Sequence, residues 1–100
     1  MEKMRLLNTY VNNVTLDEAI EIANASKFGL AGCIFSADMK TAMKTAAALE
    51  CGSVVINGAS FYRSFEMPFG GYKASGIGRE WGVEGLEDFL ETKTFSYPAT

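Results

Sequence analysis

Two cysteines are the residues of this sequence best suited to covalent chemistry, and the chain contains no histidine. A cysteine becomes a nucleophile when a neighbouring base, a positive charge or a helix N-terminus stabilises its thiolate. Cys33 lies in a short apolar run, and Cys51 follows the end of a predicted helix. We therefore expect both to be structural residues and assign no catalytic residue and no metal ligand. Without histidine, a His-assisted nucleophile or a His-containing zinc site is excluded within this sequence.

Residues 61–65 (FYRSF) combine three aromatic side chains with one arginine. Such a segment can line a small-molecule pocket, in which Arg63 would hold a carboxylate or a phosphate through paired hydrogen bonds. The alternative is that the aromatic residues only attach a long loop to the body of the protein. The same two alternatives apply to Phe69. It can line a pocket, or it can only pack against its surroundings, as an aromatic residue after a proline usually does.

Residues 67–80 (MPFGGYKASGIGRE) contain four glycines and one proline. Glycine weakens regular elements and permits positive φ and close backbone approach, so this stretch predicts a loop of defined shape. Its continuation to Gly82 has the spacing GxGxxxG, which differs from the GxGxxG turn that binds dinucleotides between a strand and a long helix. Gly71 is not followed by the Gly-Lys-Ser/Thr sequence of a phosphate loop. We expect this chain alone to bind no cofactor.

The composition narrows the class of protein. Apolar residues make up 48% of the 100 residues, which is normal for one globular domain. The net charge is −3 and the basic residues are scattered, so a nucleic acid is not an expected partner. No apolar stretch has the length of a membrane span or of a signal peptide. We expect a cytoplasmic protein, in which unpaired cysteines are usual.

The secondary-structure pattern is that of an α/β protein. Thr15 and Glu18 match a capping box, which predicts a helix that begins at Leu16. The predicted elements are a strand over 6–11, a helix over 16–25 with its exit at 27–29, a strand over 30–35, a helix over 39–49, a strand over 53–57, a long loop over 58–77, a short helix over 83–91 and an edge strand over 92–97. The first five form a β-α-β-α-β unit, whose connections suit a parallel or mixed sheet.

Several segments together resemble one enzyme family. Residues 67–80 closely resemble the PFGGxKxSGxGRE signature found near the C-terminal end of NAD(P)-dependent aldehyde dehydrogenases. Residues 17–24 (DEAIEIAN), 28–31 (FGLA) and 52–57 (GSVVIN) are similar to further segments of that family in the same order. The resemblance implies that residues 1–91 are part of an aldehyde dehydrogenase catalytic domain and that residues 92–100 are an oligomerisation arm, which pairs with a neighbouring subunit.

The resemblance also implies roles for the aromatic loop. Phe69 would line the tunnel through which an aldehyde reaches the nucleophile, and residues 58–66 would contribute to substrate selection. Arg63 would hold the distal acid or hydroxyl of a small oxygenated aldehyde or semialdehyde. The substrate-binding residues are thus expected to be Phe61, Tyr62, Arg63 and Phe69.

The family's catalytic parts are expected to lie upstream of this sequence. These parts are a cysteine nucleophile, a glutamate base, an oxyanion-hole asparagine and a Rossmann-like domain for NAD or NADP. We expect neither Cys33 nor Cys51 to occupy the nucleophile position, so the chain alone should not oxidise aldehydes. The second hypothesis is a stand-alone module without catalysis, which associates with itself or with a partner. In both cases we expect a homo-oligomer formed through the C-terminal strand.

Overall fold

The computed structural model describes residues 14–99, which contain three short helices and two small sheets. The first helix, α1 (Leu16–Asn24), begins where the capping box predicted. The Thr15 hydroxyl accepts a hydrogen bond from the Glu18 amide at 3.2 Å, and the Glu18 carboxylate accepts one from the Thr15 amide at 2.7 Å. The hydrogen bonds that the Thr15 amide and hydroxyl donate to the carboxylate lower the pKa of Glu18 because they favour its charged form.

The second helix, α2 (Met39–Ala48), is also capped by a side chain. The Asp38 carboxylate accepts hydrogen bonds from the amides of Lys40 and Thr41, each at 3.2 Å. Ala42 and Thr45 are the buried residues of this helix. The Thr45 hydroxyl donates to the Thr41 carbonyl at 2.8 Å, so its polar group is satisfied within the helix.

The central sheet is a parallel pair on which α2 packs. Strands β2 (Ala31–Ile34) and β3 (Ser53–Ile56) pair in register from Ala31 with Ser53 to Ile34 with Ile56. Residues 16–56 therefore contain helix, strand, helix and strand in the predicted order, and the fold is of the mixed α/β kind. The strand predicted over 6–11 lies outside the described residues, and the complete β-α-β-α-β unit stays a prediction.

A second sheet joins two segments that the sequence did not mark as strands. β1 (Phe28–Gly29) pairs antiparallel with β4 (Tyr72–Lys73). The prediction of a helix exit over 27–29 and of an uninterrupted loop over 58–77 is wrong at these points. Two-residue strands carry no readable periodicity, and this pairing depends on long-range packing. A Cβ on Gly29 would lie only 2.4 Å from the Glu50 carbonyl oxygen, so the backbones meet closely there.

Lys73 in β4 connects this second sheet to the end of α1. Its ammonium donates hydrogen bonds to the carbonyls of Asn24 at 2.7 Å and Ser26 at 3.3 Å. The same ammonium lies 2.5 Å from the carboxylate of Glu50. A lysine far along the chain thus satisfies carbonyls at the end of a helix, which otherwise lack intrahelical donors.

The C-terminal part departs from the prediction. The helix α3 covers Gly82–Glu87 and is shorter than the predicted 83–91. The predicted edge strand over 92–97 is not formed in this structure: residues 91–99 lie in no helix or strand, and Phe95 and Tyr97 are 85% and 89% exposed. The physical reason is that a strand needs a partner backbone, and within residues 14–99 neither sheet extends to this segment.

The described core is small. Ala42 and Thr45 are buried, whereas no large side chain among residues 14–99 is fully buried. Many large apolar side chains are exposed instead, including those of Phe35, Phe61, Phe65, Ile77, Phe89 and Phe95. Over this part of the chain, no helix combines the length and the hydropathy that crossing a bilayer requires.

Candidate functional site

The candidate site begins where β3 ends, at Asn57. The side-chain amide of Asn57 accepts from the Ser36 amide and donates to the Ser36 carbonyl, both at 2.9 Å. Its backbone has φ of 54°, in the left-handed region that asparagine tolerates better than most residues. The loop that follows β3 is therefore fixed at its origin against the end of β2.

The glycine-rich segment is folded back on itself as a braced loop. Phe69 and Glu80 form an antiparallel bridge with two hydrogen bonds of 2.7 Å. Arg79 braces the interior of the loop, because its Nη1 donates to the carbonyls of Gly78 at 2.7 Å and Gly71 at 3.3 Å. The Asp88 carboxylate accepts from the Arg79 amide at 2.9 Å, which joins the loop to the end of α3.

Close approaches inside this loop require glycine, and Gly70 is an example. A Cβ on Gly70 would lie 2.4 Å from the Gly78 carbonyl oxygen, so a larger residue would separate the two sides of the loop. Ser75 joins the loop to the second sheet, since its hydroxyl accepts from the Gly29 amide at 2.9 Å. The prediction of a loop with a defined shape is consistent with these contacts.

Phe69 lies between an arginine and a tryptophan. The Cζ of Arg63 is 4.6 Å from the centroid of the Phe69 ring, and the Trp81 ring is 5.9 Å from it. Trp81 also meets Phe65 edge to face, with centroids 5.5 Å apart. We name these four residues, Arg63, Phe65, Phe69 and Trp81, the aromatic clamp. Contacts of these kinds each contribute about 1 kcal/mol beyond the burial of area.

Trp81 adopts an unusual backbone conformation, with φ of 62° and ψ of 171°. This region is almost reserved for glycine, and another residue in it costs about 1–3 kcal/mol. The next residue, Gly82, also has positive φ, and its amide donates to the Phe65 carbonyl at 3.0 Å. The backbone amide of Gly82 and the indole of Trp81 therefore both hold the segment that carries Phe65.

A concave site of about 230 Å³ lies between β3 and the clamp. Its walls are mainly apolar, with the guanidinium of Arg63 as the charged group among them. Such a combination of apolar walls and a few polar groups is typical of small-molecule sites. The lining residues are Ser53, Val54, Val55, Ile56, Tyr62, Arg63, Met67, Pro68 and Phe69.

The structure brings three of the four predicted substrate-binding residues together. Tyr62, Arg63 and Phe69 line the cavity, whereas Phe61 does not and is 81% exposed. The sequence reasoning missed Trp81, whose position as the only tryptophan, directly after the glycine-rich signature, was the available signal. The strand β3 was predicted, but its place in the cavity wall was not, because an apolar strand gives no indication of which cavity its side chains face.

Arg63 is held by the backbone of its own loop. Its Nη1 donates to the carbonyls of Ser60 at 2.7 Å and Tyr62 at 2.8 Å. Within residues 14–99, Nε and Nη2 make no hydrogen bond. One edge of the guanidinium thus fixes its orientation, and the other edge retains donors suited to a carboxylate or a hydroxyl.

Neither cysteine lines this cavity. Cys33 is exposed, and Cys51 is half-buried with its thiol donating to the Ser53 carbonyl at 3.3 Å. Burial raises the pKa of the Cys51 thiol, and hydrogen bonds with Ser53 and Gly32 and the charge of Lys73 offset only part of this rise. A raised pKa is the opposite of what a nucleophilic cysteine needs. Among residues 14–99, His, Cys, Asp and Glu side chains form no cluster suited to a metal ion.

Comparison with known proteins gives the same family throughout. The sequence pattern of the aldehyde dehydrogenase family matches residues 9–95. A protein of Staphylococcus saprophyticus named for this family is 53% identical over 81 residues, a match that covers 81% of this chain and 17% of the relative. The chain belongs to the aldehyde dehydrogenase family.

Solved structures extend the likeness to three dimensions. Betaine aldehyde dehydrogenase from Staphylococcus aureus is 48% identical with a TM-score of 0.76, over 81% of this chain and 16% of that one. The S. aureus enzyme is also known in complex with NAD⁺. A salicylaldehyde dehydrogenase from Pseudomonas putida G7, complexed with salicylaldehyde, is 32% identical with a TM-score of 0.74, over 87% of this chain and 19% of that one. The chain thus spans less than a fifth of the length of these relatives.

Proposed function

We propose that this chain is the C-terminal segment of an NAD(P)-dependent aldehyde dehydrogenase, which oxidises an aldehyde to a carboxylic acid. The observation that carries the proposal is the cavity between β3 and the loop over 67–80, which we call the signature loop. Phe69 lies in the wall of this cavity. In this reading the segment supplies part of the aldehyde tunnel. Residues 1–91 belong to the catalytic domain, and residues 92–100 are an arm that contacts another subunit.

The side chains of the cavity have different roles in binding an aldehyde. Phe69 and Tyr62 provide apolar wall, and Arg63 provides hydrogen-bond donors for a distal acid or hydroxyl group. Phe61 lies outside the cavity and would join the site only through contacts with the remainder of the enzyme. Nothing in this set transfers a hydride or attacks a carbonyl, so the chain by itself is proposed to be inactive and to bind no cofactor.

The exposed apolar side chains support the need for further protein. A stable globular domain buries most of its large apolar residues, but here the buried positions hold small ones. Phe35, Phe65 and Phe89 are 73%, 80% and 88% exposed. Patches of this kind mark surfaces that meet other protein. In the proposal, the remaining domains of the dehydrogenase cover these faces, and the protein functions in the cytoplasm.

A chimera tests the proposal. The matching 81 residues of the S. saprophyticus relative are replaced by those of this chain, and aldehyde-dependent reduction of NAD⁺ and NADP⁺ is followed by absorbance. We expect activity within about tenfold of the parent enzyme, and none from the 100-residue chain alone. A chimera that assembles as the parent does but is inactive would contradict the proposal, as would catalysis by the isolated chain.

The role of Arg63 is tested in the same chimera with succinic semialdehyde and butanal, which differ in the distal carboxylate. Removing the guanidinium with Arg63→Ala should lower the preference for the acidic aldehyde about 10–100-fold, since a charge-assisted hydrogen bond is lost. Arg63→Lys keeps the charge but not the planar fork, and should restore only part of the preference. An unchanged preference in Arg63→Ala would show that Arg63 only holds its loop.

The second candidate function is a stand-alone module that associates with itself or a partner and has no catalytic role. It is favoured by the exposed, unpaired segment over 91–99, which could add a strand to another chain. In this reading the cavity is a remnant, and the exposed aromatic residues form contacts between copies.

A further inference from the structure

We infer that Trp81 is a positioning residue of the aldehyde site, which acts through Phe69 on Arg63. The inference rests on the proposed function, because it assigns to Trp81 control over the cavity that we propose to bind the aldehyde. Trp81 itself is not among the lining residues of that cavity. It therefore touches the substrate only through the residues that it holds.

The contacts of the indole give the first argument. Trp81 contacts both Phe65 and Phe69, with centroid distances of 5.5 and 5.9 Å. The Phe69 ring in turn carries the guanidinium of Arg63 at 4.6 Å. A single side chain thus connects both ends of the segment over 65–69 and reaches the charged group of the cavity through one intervening ring.

The backbone of Trp81 gives the second argument. Its φ of 62° and ψ of 171° are the angles of a glycine position, where any side chain is a cost. The neighbouring bridge between Phe69 and Glu80 fixes this conformation, with hydrogen bonds of 2.7 Å in both directions. The backbone geometry alone would be served better by glycine. The contacts of the indole are the physical reason for a tryptophan at this position.

Removal of the Trp81 indole should loosen the cavity wall that Phe69 and Arg63 form. Without the indole, both Phe69 and Phe65 lose their aromatic partner. Phe69 can then turn away from the cavity, and Arg63 loses the surface on which its guanidinium rests. We expect the aldehyde to bind more weakly, whereas the binding of NAD⁺, which has no contact with this wall in the proposal, should not change.

Trp81→Gly is the informative variant. Glycine adopts the observed φ without strain, so the fold of the loop should be kept or improved while the indole is removed. In the active chimera described above, KM for the aldehyde should rise about tenfold in Trp81→Gly, with kcat and KM for NAD⁺ within about twofold. Trp81→Phe should recover most of the loss, because a ring remains between Phe65 and Phe69. The matched control is Phe89→Ala, which removes an aromatic side chain outside the clamp. Because the remaining domains are proposed to cover Phe89, this variant should change both KM values equally or leave both unchanged.

A second readout does not depend on activity. Trp81 is the only tryptophan, so fluorescence of the complete 100-residue chain reports on the clamp alone. Phe69→Leu should make the emission about twofold more accessible to acrylamide, whereas Phe89→Leu should leave it unchanged. Equal quenching in Phe69→Leu and in the original chain would overturn the inference, because the contact would then be absent.

The outcomes separate the inference from the proposed function. An active chimera in which Trp81→Gly leaves KM for the aldehyde unchanged overturns the inference and leaves the function intact. The same holds if KM for the aldehyde and KM for NAD⁺ rise equally, since that pattern indicates a general structural defect. An assembled but inactive chimera contradicts the proposed function, and it also overturns the assignment of Trp81 to an aldehyde site. The quenching result then reports only whether the clamp is packed.

Discussion

Cys51 and Cys33 differ in the surroundings of their thiols, and this difference has a measurable result. Burial raises the pKa of Cys51, so its reactive thiolate is scarce at neutral pH. At about pH 8, iodoacetamide should therefore modify exposed Cys33 roughly tenfold faster than Cys51. Mass spectrometry of the Cys33→Ser and Cys51→Ser variants measures each rate separately. Equal rates in the two variants would contradict the half-buried position of Cys51.

The raised pKa of Cys51 also fixes the sign of a pH effect on stability. The folded state holds the proton of this thiol more firmly than the unfolded state does. Its contribution to stability is complete below the unfolded pKa of about 8.5 and is lost as the pH rises through the folded pKa. The original chain should therefore lose stability in this alkaline range more steeply than Cys51→Ser.

At the scale of single residues, the sequence was informative where chemistry and local context coincide. Tyr62 and Arg63 were predicted together because an arginine among aromatic residues in a loop suits a small-molecule pocket, and the resemblance added Phe69. Trp81 was missed, because its contacts with Phe65 and Phe69 are created only by the folded loop. Phe61 was predicted with the same group but does not line the cavity, because the sequence of an irregular loop does not tell which side chains face inward.

At the scale of elements, Gly52 and Gly32 form a matched pair at the central sheet. A Cβ on Gly52 would lie 1.7 Å from the Gly70 carbonyl oxygen, whereas a Cβ on Gly32 would find its nearest neighbours at 3.5 Å. Gly52→Ala should cost about 3 kcal/mol, because β3 and the signature loop must separate. Gly32→Ala should change stability by less than about 1 kcal/mol. Urea unfolding followed by Trp81 fluorescence compares the two variants, and similar midpoints would contradict the close contact at Gly52.

The elements with their own local signals were predicted to within a residue or two. α1 and α2 begin at side-chain caps, and β2 and β3 are short apolar runs, so the local sequence of each element is enough to predict it. β1 and β4 do not, because each has two residues and forms only when distant segments meet. The segment over 92–97 alternates as a strand does, but a strand's hydrogen bonds need a second backbone, which the described part of this chain does not supply.

At the scale of the whole molecule, the unpaired segment over 91–99 predicts association of the isolated chain. Light scattering coupled to size-exclusion chromatography should detect dimers or larger species whose share grows with concentration. Thr94→Pro and Phe95→Pro each remove one backbone donor, on opposite sides of the segment, so one of them should weaken association through strand pairing. Phe89→Ser serves as the control, since it reduces apolar contact without removing a backbone donor. If the chain is purely monomeric at high concentration, association is contradicted. If the dimer is lost in Phe89→Ser but not in the proline variants, the association occurs through apolar contact and not through strand pairing.

The tie between Lys73 and the end of α1 has a consequence for the order of folding. It joins residues 49 positions apart, so it can form only after the intervening chain has collapsed. The helix can nucleate early from its Thr15 cap. Its last carbonyl, that of Asn24, gains the hydrogen bond from Lys73 only after the signature loop has folded against it. Local opening of that loop would therefore release the end of α1 as well, and the two should exchange their amide hydrogens as one cooperative unit.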